Sequence, residues 1–176
     1  MHNFSDRCAR ILARWRVTGG FIAAAALLVL ARPTWDSWRA GLLIAAVGEC
    51  IRIWAAGHLE KSREVTRSGP YRFVRHPLYA GSMVMALGVA LAARGAVPAL
   101  VAGLYMGLTI LAAIQVEEEH LRQAFGSTYG DYSASRAEPM RRRFSLERAM
   151  RNREYRAVAG LIVGFGLLAL KILAPL

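Results

Sequence analysis

Cysteine and acidic side chains are scarce in this chain, and both shortages exclude classes of function. The two cysteines, Cys8 and Cys50, predict neither a disulfide framework nor a metal site, and the four histidines do not cluster in sequence. Lysine and arginine outnumber aspartate and glutamate by 23 to 12, which gives a net charge of +11. Because apolar runs interrupt every basic cluster, this charge does not predict a nucleic-acid partner.

Hydrophobic residues, in contrast, make up 55% of the 176 residues. A soluble domain of this size has too little interior to bury so much apolar surface. The sequence therefore predicts an all-α polytopic membrane helix bundle of about five transmembrane helices, in a single domain over 1–176. The predicted spans are 17–31, 40–57, 78–93, 96–116 and 157–176. The first ends without a small-residue cleavage site, so we expect it to be a retained helix.

Basic residues are distributed unevenly between the two sides of this bundle. The N-terminal segment and the segments 58–77 and 117–156 together contain 18 of them, whereas the opposite side contains 4. The positive-inside rule then predicts a cytoplasmic N-terminus in an integral multi-pass protein of the plasma (inner) membrane. Within the last segment, the run Arg141–Arg143 predicts attraction to anionic lipid headgroups.

Span two contains two residues of opposite charge, Glu49 and Arg52, which lie one helical turn apart and can form an ion pair. Ionisable residues inside a span usually face the bundle interior or a cavity, so both a structural and a substrate-binding role stay open. Gly41 and Gly48 lie on nearly the same side and predict close helix packing there. Two small-xxx-small patterns predict further packing faces, at Gly103 and Gly107 and at Gly160 and Gly164.

The segment between spans two and three is dense in turn residues, donors and aromatics. Pro77 suits the first turn of a helix, which places Arg75 and His76 just before a helix N-terminus that favours an anionic group. An alternative is that Arg75 contacts lipid phosphate and that Tyr71 and Tyr79 are membrane-interface residues.

Three glutamates directly follow span four, where carboxylates oppose the helix dipole. One interpretation is that the helix continues into the cytoplasm, which places Glu117 and His120 on one face. A single Glu-x-x-His motif without a second copy does not predict a di-iron site. The alternative is a solvated face that pairs with nearby arginines.

These two segments resemble the isoprenylcysteine carboxyl methyltransferase family and the related phospholipid N-methyltransferases. The resemblance covers roughly residues 40 to 139. Its motifs, in order, are Gly69-Pro70-Tyr71, Arg75-His76-Pro77-x-Tyr79-x-Gly81, Glu117-Glu118 and Phe125-Gly126-x-x-Tyr129-x-x-Tyr132. It implies a helical membrane enzyme with a cytoplasm-facing S-adenosylmethionine pocket. A lipophilic acceptor would enter from the bilayer: an isoprenylcysteine-like carboxylate, a phospholipid amine or a similar group.

The resemblance also implies the site residues. The cofactor contacts would be His58, Val65, Tyr71, Arg75, His76, Pro77, Leu78, Tyr79 and Glu117. The candidate catalytic residues are Arg52, Glu118 and His120. One departure concerns the arginine associated with the substrate carboxylate in the isoprenylcysteine enzymes, since Ala113 occupies that position here. This departure argues against a prenylcysteine carboxylate as acceptor, although Arg52 is available to replace the charge.

Two other functions stay open at this point. Membrane sterol reductases contain a string similar to Arg-His-Pro-x-Tyr, which leaves a nicotinamide-dependent reductase of a sterol-like lipid as the enzymatic alternative. The other alternative is a non-enzymatic membrane scaffold or transport subunit. The brevity of the chain and the paired glutamates favour methyl transfer. Nothing in the sequence determines the oligomeric state.

Overall fold

The computed structural model describes residues 18–174, all of whose regular structure is helical. The six α-helices are α1 (Thr18–Leu30), α2 (Trp35–Ala56), α3 (Pro77–Ala93), α4 (Ala96–Ser133), α5 (Leu146–Arg151) and α6 (Tyr155–Leu173). A short 3-10 turn, Gly69–Arg72, lies between α2 and α3. The predicted all-α fold is confirmed. The N-terminal arginines, Cys8, Val17 and the last two residues of the fifth predicted span lie outside the described residues.

Helix starts follow local sequence signals. At the start of α2, Thr34 and Ser37 form a capping box, in which each side chain accepts a hydrogen bond from the other's backbone N–H at 3.3 and 3.0 Å. Helix α3 begins at Pro77, whose missing N–H is not needed in a first turn. These two starts fix where α2 and α3 enter the bundle.

The bundle has the surface of a membrane protein. Helices α4 and α6 are long and apolar enough to cross a bilayer, and α1 and α3 are apolar but shorter. Large aliphatic side chains point outwards from several helices, including Leu43, Leu87, Leu104 and Ile162, each more than half exposed. Because exposing so much apolar surface to water is unfavourable, these faces are suited to contact with lipid. The fold is a membrane helix bundle, and its exact number of crossings stays a prediction.

Helices α2 and α3 pack backbone to backbone. A Cβ atom added to Gly48 would lie 2.6 Å from the backbone nitrogen of Met85, and one added to Gly88 would lie 2.5 Å from that of Ala45. The packing face predicted on α2 is therefore confirmed. The other two small-xxx-small faces are not covered by any described helix, because a Cβ added to any of their four glycines would meet no described atom within 4 Å; they are Gly103, Gly107, Gly160 and Gly164. Their role in packing stays a prediction.

Helix α4 extends far beyond the predicted span 96–116 and includes the three glutamates, as the sequence allowed. It bends at Gly126, whose φ of 49° and ψ of −121° are not helical. Glycine adopts this left-handed φ without the steric cost that a Cβ would impose. The bend lets the Tyr132 hydroxyl donate a hydrogen bond to the backbone carbonyl of Tyr71 at 2.8 Å.

Candidate functional site

The segment between α2 and α3 is fixed to the C-terminal part of the chain by Glu60. Its carboxylate accepts hydrogen bonds from Arg148 at 2.8 Å and from Arg151 at 3.2 Å. The hydrogen bond from Arg148 is the main reason that the pKa of Glu60 lies below its ordinary value, and the charge of Arg151 adds to it. This segment leads directly into the 3-10 turn and the start of α3.

At the start of α3, His76 and Arg75 converge on Glu118 from α4. The carboxylate of Glu118 accepts hydrogen bonds from His76 Nε2 at 3.1 Å and from Arg75 at 3.2 Å, and it pairs with Arg122 at 3.1 Å. Burial alone would raise the pKa of Glu118, but the hydrogen bond from His76 and the nearby guanidinium charges lower it below the ordinary value. Glu118 therefore fixes the orientation of His76.

Tyr71 lies in the 3-10 turn and is almost fully buried. Burial raises the pKa of its phenol, and the charges of Glu117 and Glu154 raise it further. Burial also raises the pKa of Tyr132 to about 12, with a smaller contribution from Tyr129. Both hydroxyls are therefore neutral at physiological pH and act as hydrogen-bonding groups.

Glu117 is the half-buried neighbour of this aromatic group. Its charge acts on Tyr71, yet among residues 18–174 it forms no hydrogen bond or ion pair. The rings of His76 and Tyr79 lie 5.8 Å apart on the adjoining start of α3. Glu117 thus lies near Tyr71, and the predicted role of Tyr71, His76 and Glu117 in cofactor binding stays a prediction.

Arg52 joins this group to the interior of the bundle. Its guanidinium donates to the backbone carbonyl of Leu78 at 3.4 Å and to the hydroxyl of Ser82. It also lies 2.6 Å from Glu154 and 3.6 Å from Glu49. Glu154 was not identified from the sequence, where it is one charge among many in a basic segment and has no spacing signal that relates it to α2.

A cavity of about 450 Å³ opens beside Arg52 among helices α1, α2, α3, α4 and α6. Its lining is mostly aliphatic, and Arg52 is the only charged residue among those described that line it. Ser82 lies at the same end. The cavity can accommodate an apolar chain with a polar group at the end near Arg52.

Three predicted site residues lie apart from this group. His58 is buried, with Nδ1 2.9 Å from the carbonyl of Trp54, and its ring packs against Gly69 and Phe144 beside a second cavity. Val65 is buried in the preceding loop. His120 is exposed on α4 and forms no hydrogen bond or ion pair with any described residue. Their predicted roles stay predictions.

The family model for phospholipid methyltransferases matches residues 37–128. The chain belongs to this family. The matched range includes α2, α3, the 3-10 turn and the glutamates of α4, which are the elements that form the site. No solved structure shows a significant match.

Curated relatives of this family member differ in their names. CzcN, a cobalt-zinc-cadmium resistance protein of Cupriavidus metallidurans, is 32% identical over 123 residues, covering 63% of this chain and 55% of the relative. A probable protein-S-isoprenylcysteine O-methyltransferase of Oryza sativa is 30% identical over 105 residues, covering 53% of this chain and 55% of the relative. NccN, a nickel-cobalt-cadmium resistance protein of Alcaligenes xylosoxydans, is 30% identical over 131 residues, covering 68% of this chain and 59% of the relative.

This chain spans little more than half the length of the curated relatives it matches. Two of those relatives are named for metal resistance, but residues 18–174 contain no group of three or more histidine, cysteine, aspartate or glutamate side chains that could bind a metal ion.

Proposed function

We propose that this protein transfers a methyl group from S-adenosylmethionine to a lipophilic acceptor located in the membrane. Family membership supports methyl transfer, and one structural observation supports a lipid acceptor. Arg52 both lines the apolar cavity and contacts the carbonyl of Leu78, inside the predicted cofactor segment. An acceptor in this cavity would therefore have its polar end next to the cofactor segment.

The residues at the start of α3 fit S-adenosylmethionine, which contains an ammonium, a carboxylate, a sulfonium and an adenine. Glu117 is a half-buried carboxylate without a partner among the described residues, so it is available to pair with the ammonium group. The N-terminus of α3, next to His76, suits a carboxylate. The rings of Tyr71 and Tyr79 provide faces for the adenine or the sulfonium.

When bound, the cofactor would supply a methyl group attached to a positively charged sulfur. The acceptor's lone pair would form the new bond to the methyl carbon, and the sulfur would keep the electron pair of the bond that breaks. The protein's own residues position the reactants. Glu118 orients His76 through the 3.1 Å hydrogen bond. Tyr132 fixes the backbone at Tyr71. The apolar cavity excludes water, which strengthens the electrostatic interactions near the reacting atoms.

The charges around Arg52 favour a lipid-linked amine over a carboxylate as the acceptor. Glu154 lies 2.6 Å from the guanidinium, and Glu49 lies 3.6 Å from it. These two carboxyl groups balance the positive charge of Arg52, which would otherwise bind a carboxylate on the acceptor. Ala113 also leaves the position of the usual arginine uncharged. A neutral amine requires no cationic partner and can enter this environment.

For the membrane arrangement we propose five crossings, with the cytoplasmic N-terminus and the cofactor segments 58–77 and 117–156 facing the cytoplasm. The asymmetry of basic residues supports this orientation, which places the site at the inner face of the plasma membrane. The whole of 1–176 then forms one catalytic domain. Cysteine labelling from either side of sealed vesicles tests the arrangement.

Calorimetry with S-adenosylmethionine on the protein in detergent tests the cofactor site. We expect Glu117→Ala to weaken binding by about tenfold or more, because a charge-assisted hydrogen bond is lost. Glu119→Ala is the matched control, since Glu119 is an exposed neighbour whose carboxylate, among residues 18–174, accepts a side-chain hydrogen bond only from Gln123 on its own helix. An absence of binding by the natural protein, or equal affinities for the two variants, would contradict the proposal.

Two further measurements address the acceptor and the alternatives. A membrane lipid extract incubated with labelled cofactor should yield labelled amine lipids by mass spectrometry, and label on carboxylates alone would refute the amine assignment. Thermal unfolding is compared with NADPH and with S-adenosylmethionine. Stabilisation by NADPH alone would indicate a reductase, and stabilisation by neither compound would indicate a scaffold.

A further inference from the structure

A second cavity, of about 790 Å³, lies at the C-terminal end of α2 and shares no lining residue with the apolar cavity. Its lining combines the end of α2, the 3-10 turn and the chain after α4. The residues that give it its chemistry are Trp54, His58, Arg72, Arg141, Arg142 and Arg143. Of the predicted cofactor contacts, His58 is part of this lining, whereas Tyr71, His76 and Glu117 are not.

Most of the positive charge in this cavity is not balanced by the protein. Arg142 forms an ion pair with Glu64 at 2.6 Å and donates to the carbonyl of His58 at 3.2 Å. Arg72, Arg141 and Arg143 form no ion pair with any residue in 18–174. The positive charges of these three arginines repel each other, and an anion bound between them would offset that repulsion.

The arginines are positioned by backbone hydrogen bonds rather than by chance side-chain contacts. The segment that contains them is attached at both ends, by Met140 N–H to the carbonyl of Arg67 at 3.2 Å and by Ser145 N–H to the carbonyl of Gly57 at 3.1 Å. The ring of Phe144 packs directly against Gly57, where an added Cβ would overlap the ring. The cavity is therefore a built feature of the fold.

Exposed apolar side chains surround the cavity and indicate its level in the membrane. Phe73 is 78% exposed and Leu146 is 64% exposed, and Trp54 and Phe144 are each nearly half exposed. Aromatic side chains next to arginines at the end of an apolar bundle are typical of the membrane interface. Phospholipid headgroups are the anions concentrated at this level of a membrane.

We propose that this cavity binds the headgroup of an anionic phospholipid, with its phosphate between Arg72, Arg141 and Arg143. A guanidinium donates two parallel hydrogen bonds to a phosphate, which suits arginine rather than lysine for this role. We assign to this cavity a lipid other than the methyl acceptor, because the cavity shares no lining residue with the apolar cavity beside Arg52. This inference does not depend on the proposed enzymatic activity.

Native mass spectrometry of the full chain in detergent tests the proposal by counting bound lipids. The probes are phosphatidylglycerol and phosphatidylcholine at equal concentration, and we expect the natural protein to favour phosphatidylglycerol. The double variant Arg141→Ala/Arg143→Ala should lose this preference by about tenfold, since each basic residue near an anionic lipid contributes substantially. The charge-matched control is Arg136→Ala/Arg151→Ala, two exposed arginines that pair with Asp131 and Glu60 outside the cavity.

Three results would overturn the inference. Equal loss of phosphatidylglycerol from the control variant would show general charge attraction without a site. Thermal stabilisation by inorganic phosphate with no lipid preference would identify a soluble anion as the ligand. Displacement of phosphatidylglycerol by S-adenosylmethionine would assign the cavity to the cofactor. Circular dichroism of both double variants checks that the helical fold is retained, and an unfolded cavity variant is replaced by Arg141→Gln/Arg143→Gln.

Discussion

The guanidinium of Arg52 and the carboxylate of Glu154 lie 2.6 Å apart, which joins the middle of the bundle to the start of α6. The same guanidinium donates to the carbonyl of Leu78 at the start of α3. Three segments that are distant in sequence thus meet at one side chain, between the apolar cavity and the predicted cofactor segment. The pair fixes the position of the polar end of the cavity.

Removing the Glu154 charge should destabilise the protein more than removing the Glu49 charge. Both side chains are buried, but Glu49 lies 3.6 Å from Arg52 and Glu154 lies 2.6 Å from it. We expect Glu154→Gln to lower the free energy of unfolding by about 3 kcal/mol, because it leaves a largely buried guanidinium without its closest partner. Thermal unfolding of both variants in detergent measures the difference. Equal destabilisation by Glu49→Gln would contradict this ranking.

The stability that Glu118 provides should depend on pH. Its pKa in the folded protein lies below the ordinary value of 4.5, so the ionised carboxylate stabilises the fold. This contribution is complete above the unfolded pKa and is lost as the pH falls through the lowered folded value. The difference in melting temperature between the natural protein and Glu118→Gln should therefore be largest at neutral pH and shrink on acidification. A difference that grows in acid would refute the assignment.

The bend at Gly126 should tolerate no side chain. Gly126→Ala places a Cβ on a left-handed φ of 49° and should cost about 1–2 kcal/mol. Gly130→Ala is the matched control, because an added Cβ there meets no described atom within 4 Å, and alanine in a helix is more stable than glycine by about 0.5–1 kcal/mol. Chemical denaturation should give opposite signs for the two variants. The same sign for both would show that the bend is not required.

The contact between α2 and α3 should be equally sensitive to an added side chain. Gly48→Ala places a Cβ 2.6 Å from the backbone nitrogen of Met85 and should destabilise the bundle by about 1–3 kcal/mol, as overpacking does. Gly103→Ala on α4 adds the same methyl group where no described atom lies within 4 Å. Thermal unfolding of the two variants should separate them clearly. If Gly103→Ala is as harmful, an unseen partner packs on α4.

Much of the helix pattern was predictable, whereas the partners of individual charges were not. Apolar runs predicted every long helix to within a few residues at most ends, and Pro77 marked the start of α3. Spacing placed Glu117 and His120 on one face, but it did not show that Glu118 is the residue that contacts His76. That contact depends on how α4 is rotated against α3, which the sequence of either helix alone does not determine.

The small-residue patterns show the same limit. Both α2 and α4 carry glycines on one helix face, yet among the described residues those of α2 meet another backbone closely and Gly103 and Gly107 of α4 do not. Spacing shows that a helix face is flat, but it does not show whether another helix covers it. The bend at Gly126 was also beyond prediction, because glycine occurs both in regular helices and at kinks.

By itself, the sequence determined that the chain is a helical membrane protein with a basic side and two motifs of a methyltransferase family. Hydrophobic length, charge distribution and short motifs are local properties, so they can be read along the chain. Only the tertiary structure decided that Glu154 neutralises Arg52, that Glu117 is left available, and that three arginines surround a second cavity. Each of these depends on segments far apart in sequence, whose contacts are set by the packing of the whole bundle.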